Sequence, residues 1–435
     1  MSKLRLFGSF FAMFAIVYGP VLDTFLGPIL DISFLTCLLL IISNVVWYQR
    51  MRLNRFASQL SVFPVLIFGV CLLNIVLLDI ENIEHSARAL MRPVRILVVL
   101  FAVAIFARYF VSNVGRKAIE KGIMLLFLVI LLHAVIMILQ FFDADFRNAI
   151  YQFTTAKNVL QQYQSTRMAG FSGAGGAQLS IIQSFGLILG VFLFSQSKSM
   201  QTKLFVFIGC QLIIASVFFA GRSGVLTAII FCPLYYLYLN SQQPASKAMK
   251  NTISTTVLLS LVTVVLLVFL FDSLADNIYF MSAFERIFDS FIGYQDGGKF
   301  KVDTLIALSN MFILPNEAMH MLIGKASYLH NNTLYSINTD IGYLRLIWGY
   351  GLVGSVFHYS FYIFAIYVIQ ALPNISKAEK SLPIILLLLT LFFNSKEILV
   401  FSRMSFQISM FVLFIVYFVS QRAPINLSTR ELREL

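Results

Sequence analysis

The 435-residue chain is 59% apolar and carries 44 phenylalanines, only 12% charged residues and a mean hydropathy of +0.84, which excludes a soluble globular domain and indicates a polytopic membrane protein. Its formal net charge of +12 is scattered over separate loops with no basic-aromatic platform, so nucleic acid is excluded as a partner. Cys37, Cys71, Cys210 and Cys232 all fall in apolar runs, without metal-ligand spacing or a disulfide framework.

Apolar runs long enough to cross about 30 Å of hydrocarbon predict twelve helices, near 6–26, 28–47, 61–79, 94–112, 120–141, 178–196, 203–219, 223–240, 252–271, 343–369, 382–395 and 400–420. The first run has no small-residue cleavage site behind it and carries Asp23 near its end, so it is expected to be retained. If Lys3 and Arg5 lie inside, alternate connections hold Arg50, Arg52 and Arg55, then Arg108, Arg116, Lys117 and Lys121, then Lys198 and Lys203, Lys247 and Lys250, and Lys377 and Lys380, with Arg422, Arg430 and Arg433 in the tail. Positive charge on cytoplasmic loops explains this pattern and predicts two cytoplasmic termini. The expectation is one all-α integral membrane domain over 1–435, with long outward loops at 142–177 and 272–342.

Those loops are too apolar for disorder. Phe280, Phe284, Ile287, Phe288 and Phe291 share one helical face, with Glu285, Arg286 and Asp289 opposite, which predicts an amphipathic helix over 278–292. A second helix is expected over 302–313, ending before Pro315. Asp143 and Asp145, at the outer end of the fifth run, fit either a solvated helix end or a divalent-ion site.

Outward arginines have no topological reason to exist, and an arginine at membrane depth costs about 3 kcal/mol, so such residues tend to be paired or functional. Arg88, Arg92 and Arg95 repeat at helical spacing and fit headgroup snorkelling as well as function. Arg222 sits in AGRSG, a turn too short to carry it away from the membrane surface. Arg167 opens RMAGFSGAGGA, which fits either a plain flexible loop or one whose amides approach an anion. Arg345 and Arg403 begin helices. His330, in LHNNTL, is the outward histidine with polar neighbours, suited to taking a proton or to ordering Asn331 and Asn332. Asp340 precedes IGYLRLIWGYG and fits a helix N-cap. His133 and His358 lie inside runs, where a satisfied core role is expected.

The stretches RMAGFSGAGG, FFAGRSGVL and MLIGKASYLHNNTLYSINTDIGYLRLIWGYGLVG resemble the Wzy-type O-antigen polymerases and, more distantly, the O-antigen ligases of Gram-negative bacteria. The resemblance implies a GT-C-like glycosyltransferase of the bacterial inner membrane with a periplasmic active site. It would move a growing glycan from undecaprenyl pyrophosphate onto an incoming lipid-linked repeat unit. Implied partners are those lipid-linked oligosaccharides, membrane lipids and a chain-length regulator protein; no cofactor or metal is implied. His330 becomes the catalytic base with Asp340 in reserve, and Arg167, Arg222, Arg345 and Arg403 become pyrophosphate contacts, with Lys396 a further candidate. The alternatives are ligation onto lipid A-core and, on the twelve-helix count alone, transport.

Overall fold

The computed structural model describes residues 3–24, 27–48, 55–77, 83–155, 167–172, 176–242, 281, 311–325 and 339–422. Helix α1 (Lys3–Tyr18) leads into an antiparallel hairpin of β1 (Val21–Thr24) and β2 (Gly27–Asp31), with Val21 opposite Asp31. There follow α2 (Ile32–Tyr48), α3 (Arg55–Leu77), α4 (Ile83–Val114), a 3₁₀ turn at Gly115–Lys117, α5 (Ala118–Phe142) and the short α6 (Ala144–Phe153). The second half comprises α7 (Gly176–Gln196), α8 (Met200–Ala220), α9 (Ser223–Ser241), α10 (Ala318–Ile323), α11 (Gly342–Ala371), α12 (Lys377–Phe393) and α13 (Arg403–Ser420).

Among the described residues, seven helical stretches are long and apolar enough to cross a membrane; α1 and α2 supply shorter apolar helices. The chain is therefore a helical polytopic membrane protein. The longest stretch, Leu90–Phe142, spans both α4 and α5, which the 3₁₀ turn separates. The expected helix over 252–271 lies outside the described residues, as does the amphipathic one over 278–292 apart from Met281. Of the segment 302–313, residues 311–313 are described and are not helical.

The hairpin corrects the expectation of helix throughout. Runs 6–26 and 28–47 were expected as two spans, but α1 stops at Tyr18 because Pro20 disfavours helix in the residue before it. The chain then turns back through β1 and β2 before α2 begins. Thr154, just past α6, bridges to Leu22, and the Thr155 amide donates to the Val21 carbonyl at 3.1 Å.

Two helices form the interior. Every residue of α13 from Met404 to Val416 is buried, as is every residue of α7 from Leu179 to Gly190, as expected of helices apolar all round. Helix α4 packs on α13, α8 on α7 and α5, and α3 on α4 and α11. Helix α11 breaks at Gly351, whose φ of 67° falls in the left-handed region. The break receives α10: the Lys325 amide donates to the Trp348 carbonyl at 2.7 Å, and Trp348 Nε1 donates to the Ile313 carbonyl at 2.7 Å.

The bundle has two chemically different ends. At one, Arg5 Nη1 reaches Asn113 Oδ1 at 3.4 Å and the Arg422 side chain approaches Gly115. At the other lie the hairpin, α6, residues 167–172, the Gly221–Arg222 turn, residues 339–341 and the connection 394–402.

Candidate active site

The connection 394–402 is the hub of that second end. Asn394 is fully buried, and its Oδ1 accepts the amides of Leu399 at 3.0 Å and Val400 at 3.2 Å, closing the turn. Its carbonyl accepts the Tyr343 amide at 3.2 Å, which fixes the start of α11. A Cβ on Gly342 would fall 2.6 Å from the Glu397 carbonyl, so the approach needs glycine. On the other flank, Gln178 Nε2 donates to the Ile398 carbonyl at 3.3 Å and to Ser402 Oγ at 2.7 Å, fixing the start of α7. Phe401 has φ of 55°, unusual for an aromatic residue, and its amide donates to the Tyr362 hydroxyl at 2.9 Å.

Residues 167–172 are clamped by a buried polar network. The amide of Ala169 donates to the Tyr151 hydroxyl at 3.0 Å, that of Gly170 to Gln140 Oε1 at 2.9 Å, and that of Phe171 to His133 Nε2 at 3.3 Å. The Met168 amide donates to the Phe219 carbonyl at 3.2 Å, tying the segment to the end of α8. The amides of Met168 to Phe171 are thus consumed inside the protein, while those of 173–175, in the glycine-rich part of the stretch, lie outside the described residues. Its outward chemistry rests on the Arg167 side chain. His133 holds the core role expected of it; its partner is this loop.

Arg222 enters from the α8–α9 turn. Ser180 Oγ donates to the Gly221 carbonyl and accepts the Gly224 amide at 3.0 Å, and the Ser180 carbonyl occupies the space that a Cβ on Gly224 would need. The tightness of AGRSG thus comes from the close approach of α7, and it delivers Arg222 beside the 167–172 segment.

Arg345 donates through Nε to the Thr339 carbonyl at 2.6 Å and through Nη2 to Asp340 Oδ1 at 3.3 Å. Asp340 was expected to cap α11 but does not. The N-cap is Ile341, whose amide donates to Thr339 Oγ1 at 3.2 Å, and the Asp340 carboxylate faces Arg345. Asp143 is the residue that caps: its side chain accepts the Phe146 amide at 2.9 Å at the start of α6. Among the described residues, no group of three or more histidine, cysteine or acidic side chains is placed to hold a metal ion.

These ties bring Arg167, Arg222, Arg345, Lys396, Asp340 and Glu397 into one electrostatic cluster, four cations with two carboxyl groups. Burial pushes the Glu397 carboxyl up to about 7, Asp340 pushing the same way while Arg345, Lys396 and Arg167 oppose. Burial lowers the Lys396 ammonium; Arg222 and Arg167 add to that, and Glu397 and Asp340 oppose it. Glu397 was missed by sequence reasoning. The polar NSKE between two apolar runs was the available signal, of the same kind that marked Arg222.

Arg403, expected with this group, stands elsewhere. Its Nη2 lies 3.3 Å from Asp31 Oδ1 and also meets the Gly19 carbonyl, while Asp31 pairs with Arg95 through its other oxygen. His330 lies outside the described residues. A scan of protein-family models, a search of curated proteins and a search of solved structures each gave no match.

Proposed function

We propose that this membrane protein is a glycosyltransferase that polymerises lipid-linked glycan repeats, an O-antigen polymerase working at the periplasmic face of the inner membrane. One observation carries the reading: Arg167, Arg222, Arg345 and Lys396, from three connections and the first turn of α11, form one electrostatic group with Glu397 and Asp340 at one end of an apolar bundle. The resemblance in the sequence supplies the substrate class, and the basic residues at the opposite end supply the orientation.

The chemistry fits. A sugar on pyrophosphate has its leaving group installed, so catalysis needs cations where negative charge develops and a base for the acceptor hydroxyl. Guanidinium groups suit phosphate oxygens, with Arg345 already committing Nε to Thr339 and Nη2 to Asp340, and Lys396 adds a point charge. The acceptor hydroxyl oxygen bonds to the anomeric carbon as the bond from that carbon to the pyrophosphate oxygen breaks. The hydroxyl proton passes to the Glu397 carboxylate, poised near neutrality, and the pyrophosphate on its polyprenol departs with the cations. His330 remains the base that the resemblance implies.

The test is reconstitution. Purified protein given lipid-linked repeat units is expected to build a ladder of products, and Arg222→Ala to stop it while the protein still inserts. A wild-type ladder in Arg222→Ala would sink the site. Transfer to lipid A-core without extension would make the protein a ligase.

A further inference from the structure

Hydroxyls in the apolar helices of this chain commonly satisfy themselves one turn back: Thr36 donates to the Ile32 carbonyl at 2.7 Å, Ser355 to that of Gly351 at 2.7 Å, and Thr390 to that of Leu386 at 2.9 Å. Ser223 and Thr227, in the first turns of α9, do not. Thr227 is fully buried and Ser223 is 8% exposed, and among the described residues neither hydroxyl has a hydrogen-bond partner. For Ser223, the carbonyl one turn back is that of Phe219, which already accepts the Met168 amide. A buried hydroxyl left unpaired is unfavourable, so two of them side by side call for an occupant.

Their place follows from the face of α9 that meets α12. The Tyr235 hydroxyl lies 3.2 Å from Ser381 Oγ, and the Phe231 ring packs edge-on against Phe392 and Phe393, with centroids 5.3 and 6.1 Å apart. Helix α9 therefore runs antiparallel to α12. Ser223, Thr227, Phe231 and Tyr235 recur at every fourth residue, a spacing that drifts about 40° per step around a regular α-helix. Thr227–Phe231 forms a π turn, whose wider winding offsets the drift and keeps the stripe on one face. Past Phe393 that face meets the 394–402 connection, which puts Thr227 and Ser223 at its level. Lys396 feels the charge of Arg222, the residue just before Ser223. The two hydroxyls thus lie on the inner side of the cation cluster.

We infer that Ser223 and Thr227 form the hydrogen-bonding floor of a phosphoryl subsite, whose oxygens accept from both hydroxyls while Arg222 and Lys396 supply the charge. The donors select an anion. An anionic oxygen accepts a hydroxyl at shorter range and with about twice the strength of a neutral one, a cation would be repelled by Arg222 and Lys396, and a sugar hydroxyl would use none of their charge. Neither hydroxyl pairs with the neighbouring Glu397 carboxyl, which leaves that group to the acceptor. The hydroxyls would fix which oxygens of the leaving group face the cations. The inference rests on the polymerase reading for the carrier of the phosphoryl group, a polyprenyl pyrophosphate, and on the hydroxyls and cations alone for the subsite.

The experiment measures binding to the full chain in nanodiscs, with three probes: sugar-free undecaprenyl pyrophosphate, inorganic pyrophosphate, and the neutral repeat oligosaccharide freed from its carrier. Ser223→Ala and Thr227→Val each remove one hydroxyl at nearly unchanged volume. Each is expected to weaken the lipid pyrophosphate about tenfold, the scale of one hydrogen bond to a charged group, while Thr227→Ser binds as wild type. Stability separates binding from packing. Taking an unpaired hydroxyl out of the interior relieves a penalty, so the Tm of ligand-free Thr227→Val is expected to equal or exceed that of wild type. Wild-type affinity in both variants, or a lower ligand-free Tm in both, would overturn the subsite. Weakening confined to the neutral oligosaccharide would overturn the choice of an anion. Inorganic pyrophosphate binding as tightly as the lipid, and weakening in the same variants, would overturn the lipid carrier as its source. A wild type that binds the lipid with these losses but extends no glycan would remove the polymerase reading and leave the phosphoryl subsite standing.

Discussion

Tyr18 and His133 stack flat, with ring centroids 3.9 Å apart and planes within 8°. The pair joins α1 to α5, and Gln183 of α7 lies within hydrogen-bonding distance of both, the Tyr18 hydroxyl donating to its Oε1 at 3.1 Å. His133 Nε2 then accepts the Phe171 amide, so a core stack positions the loop that carries Arg167. His133→Phe keeps the stack and leaves that amide without its acceptor. It is expected to cost about 1–3 kcal/mol, seen as a lower Tm in detergent, and to slow polymerisation through misplaced Arg167. Unchanged Tm and rate would show that the loop holds itself.

Gly170 tests the same clamp from the other side. Its φ is 61°, and the His133 ring fills the place of a Cβ. Gly170→Ala is expected to destabilise by about 1–3 kcal/mol and to lower activity further than the loss of stability explains. Protease sensitivity near 167–172 is the readout.

The Glu397 carboxyl, raised to about 7, gives a pH signature. On the proposed reaction the Glu397 base acts deprotonated, so turnover should rise with pH up to about 7 and then level, and Glu397→Gln should lose the reaction with the protein folded. The same shift acts on stability in the opposite direction. The folded state holds this proton more tightly than the unfolded chain, so its contribution is full below the ordinary carboxylate range and is lost as pH rises through about 7. Glu397→Gln should flatten that part of the stability profile. A full rate in Glu397→Gln with loss in His330→Ala would move the base to His330.

Arg222→Lys keeps charge and loses the bidentate fork. It is expected to retain part of the rate, whereas Arg222→Ala falls by about 10²–10³ in kcat, the scale for removal of one preorganised charge donor. A fall in Arg222→Ala confined to KM would mean that the residue only holds substrate.

Asp31 bridges two arginines, and Asp31→Asn leaves both without their carboxylate. Losing one partner of a buried pair costs about 3–5 kcal/mol, and because the Arg95 side chain is 43% exposed the expected loss here is nearer ~2 kcal/mol. Combining Asp31→Asn with Arg95→Gln should recover part of it; strict additivity of the two losses would show that they do not interact.

Hydropathy made the helices legible, because a run of some twenty apolar residues leaves the backbone few alternatives in a membrane. The hairpin was hidden for the same reason: VLDTFLGPILD reads as more of the flanking runs, and nothing local announces that Asp31 turns toward two arginines. That Arg167, Arg222, Arg345 and Arg403 share one end of the bundle was legible too. Position across that end was not, since it depends on contacts between residues hundreds apart, such as Gln178 with Ser402. Arg403 was therefore grouped with Arg222 when it faces the other side of the 394–402 turn. Glu397 stayed hidden because a lysine-glutamate neighbour pair looks solvated until the connections holding Arg167 and Arg222 and the start of α11 close over it.

The break at Gly351 divides α11 mechanically. Arg345 rides on the short upper piece, which is held at Asn394 and at Lys325 and Ile313, while the long lower piece packs with α3 inside the bundle. Residues 311–325, which also meet α3 where Asn74 Nδ2 donates to the Ile323 carbonyl at 3.2 Å, are thus coupled to Arg345 through a lever whose fulcrum is Gly351. A crosslink between 313 and 348 that slows turnover without changing Tm would reveal that lever; unaltered turnover would show the upper piece to be fixed.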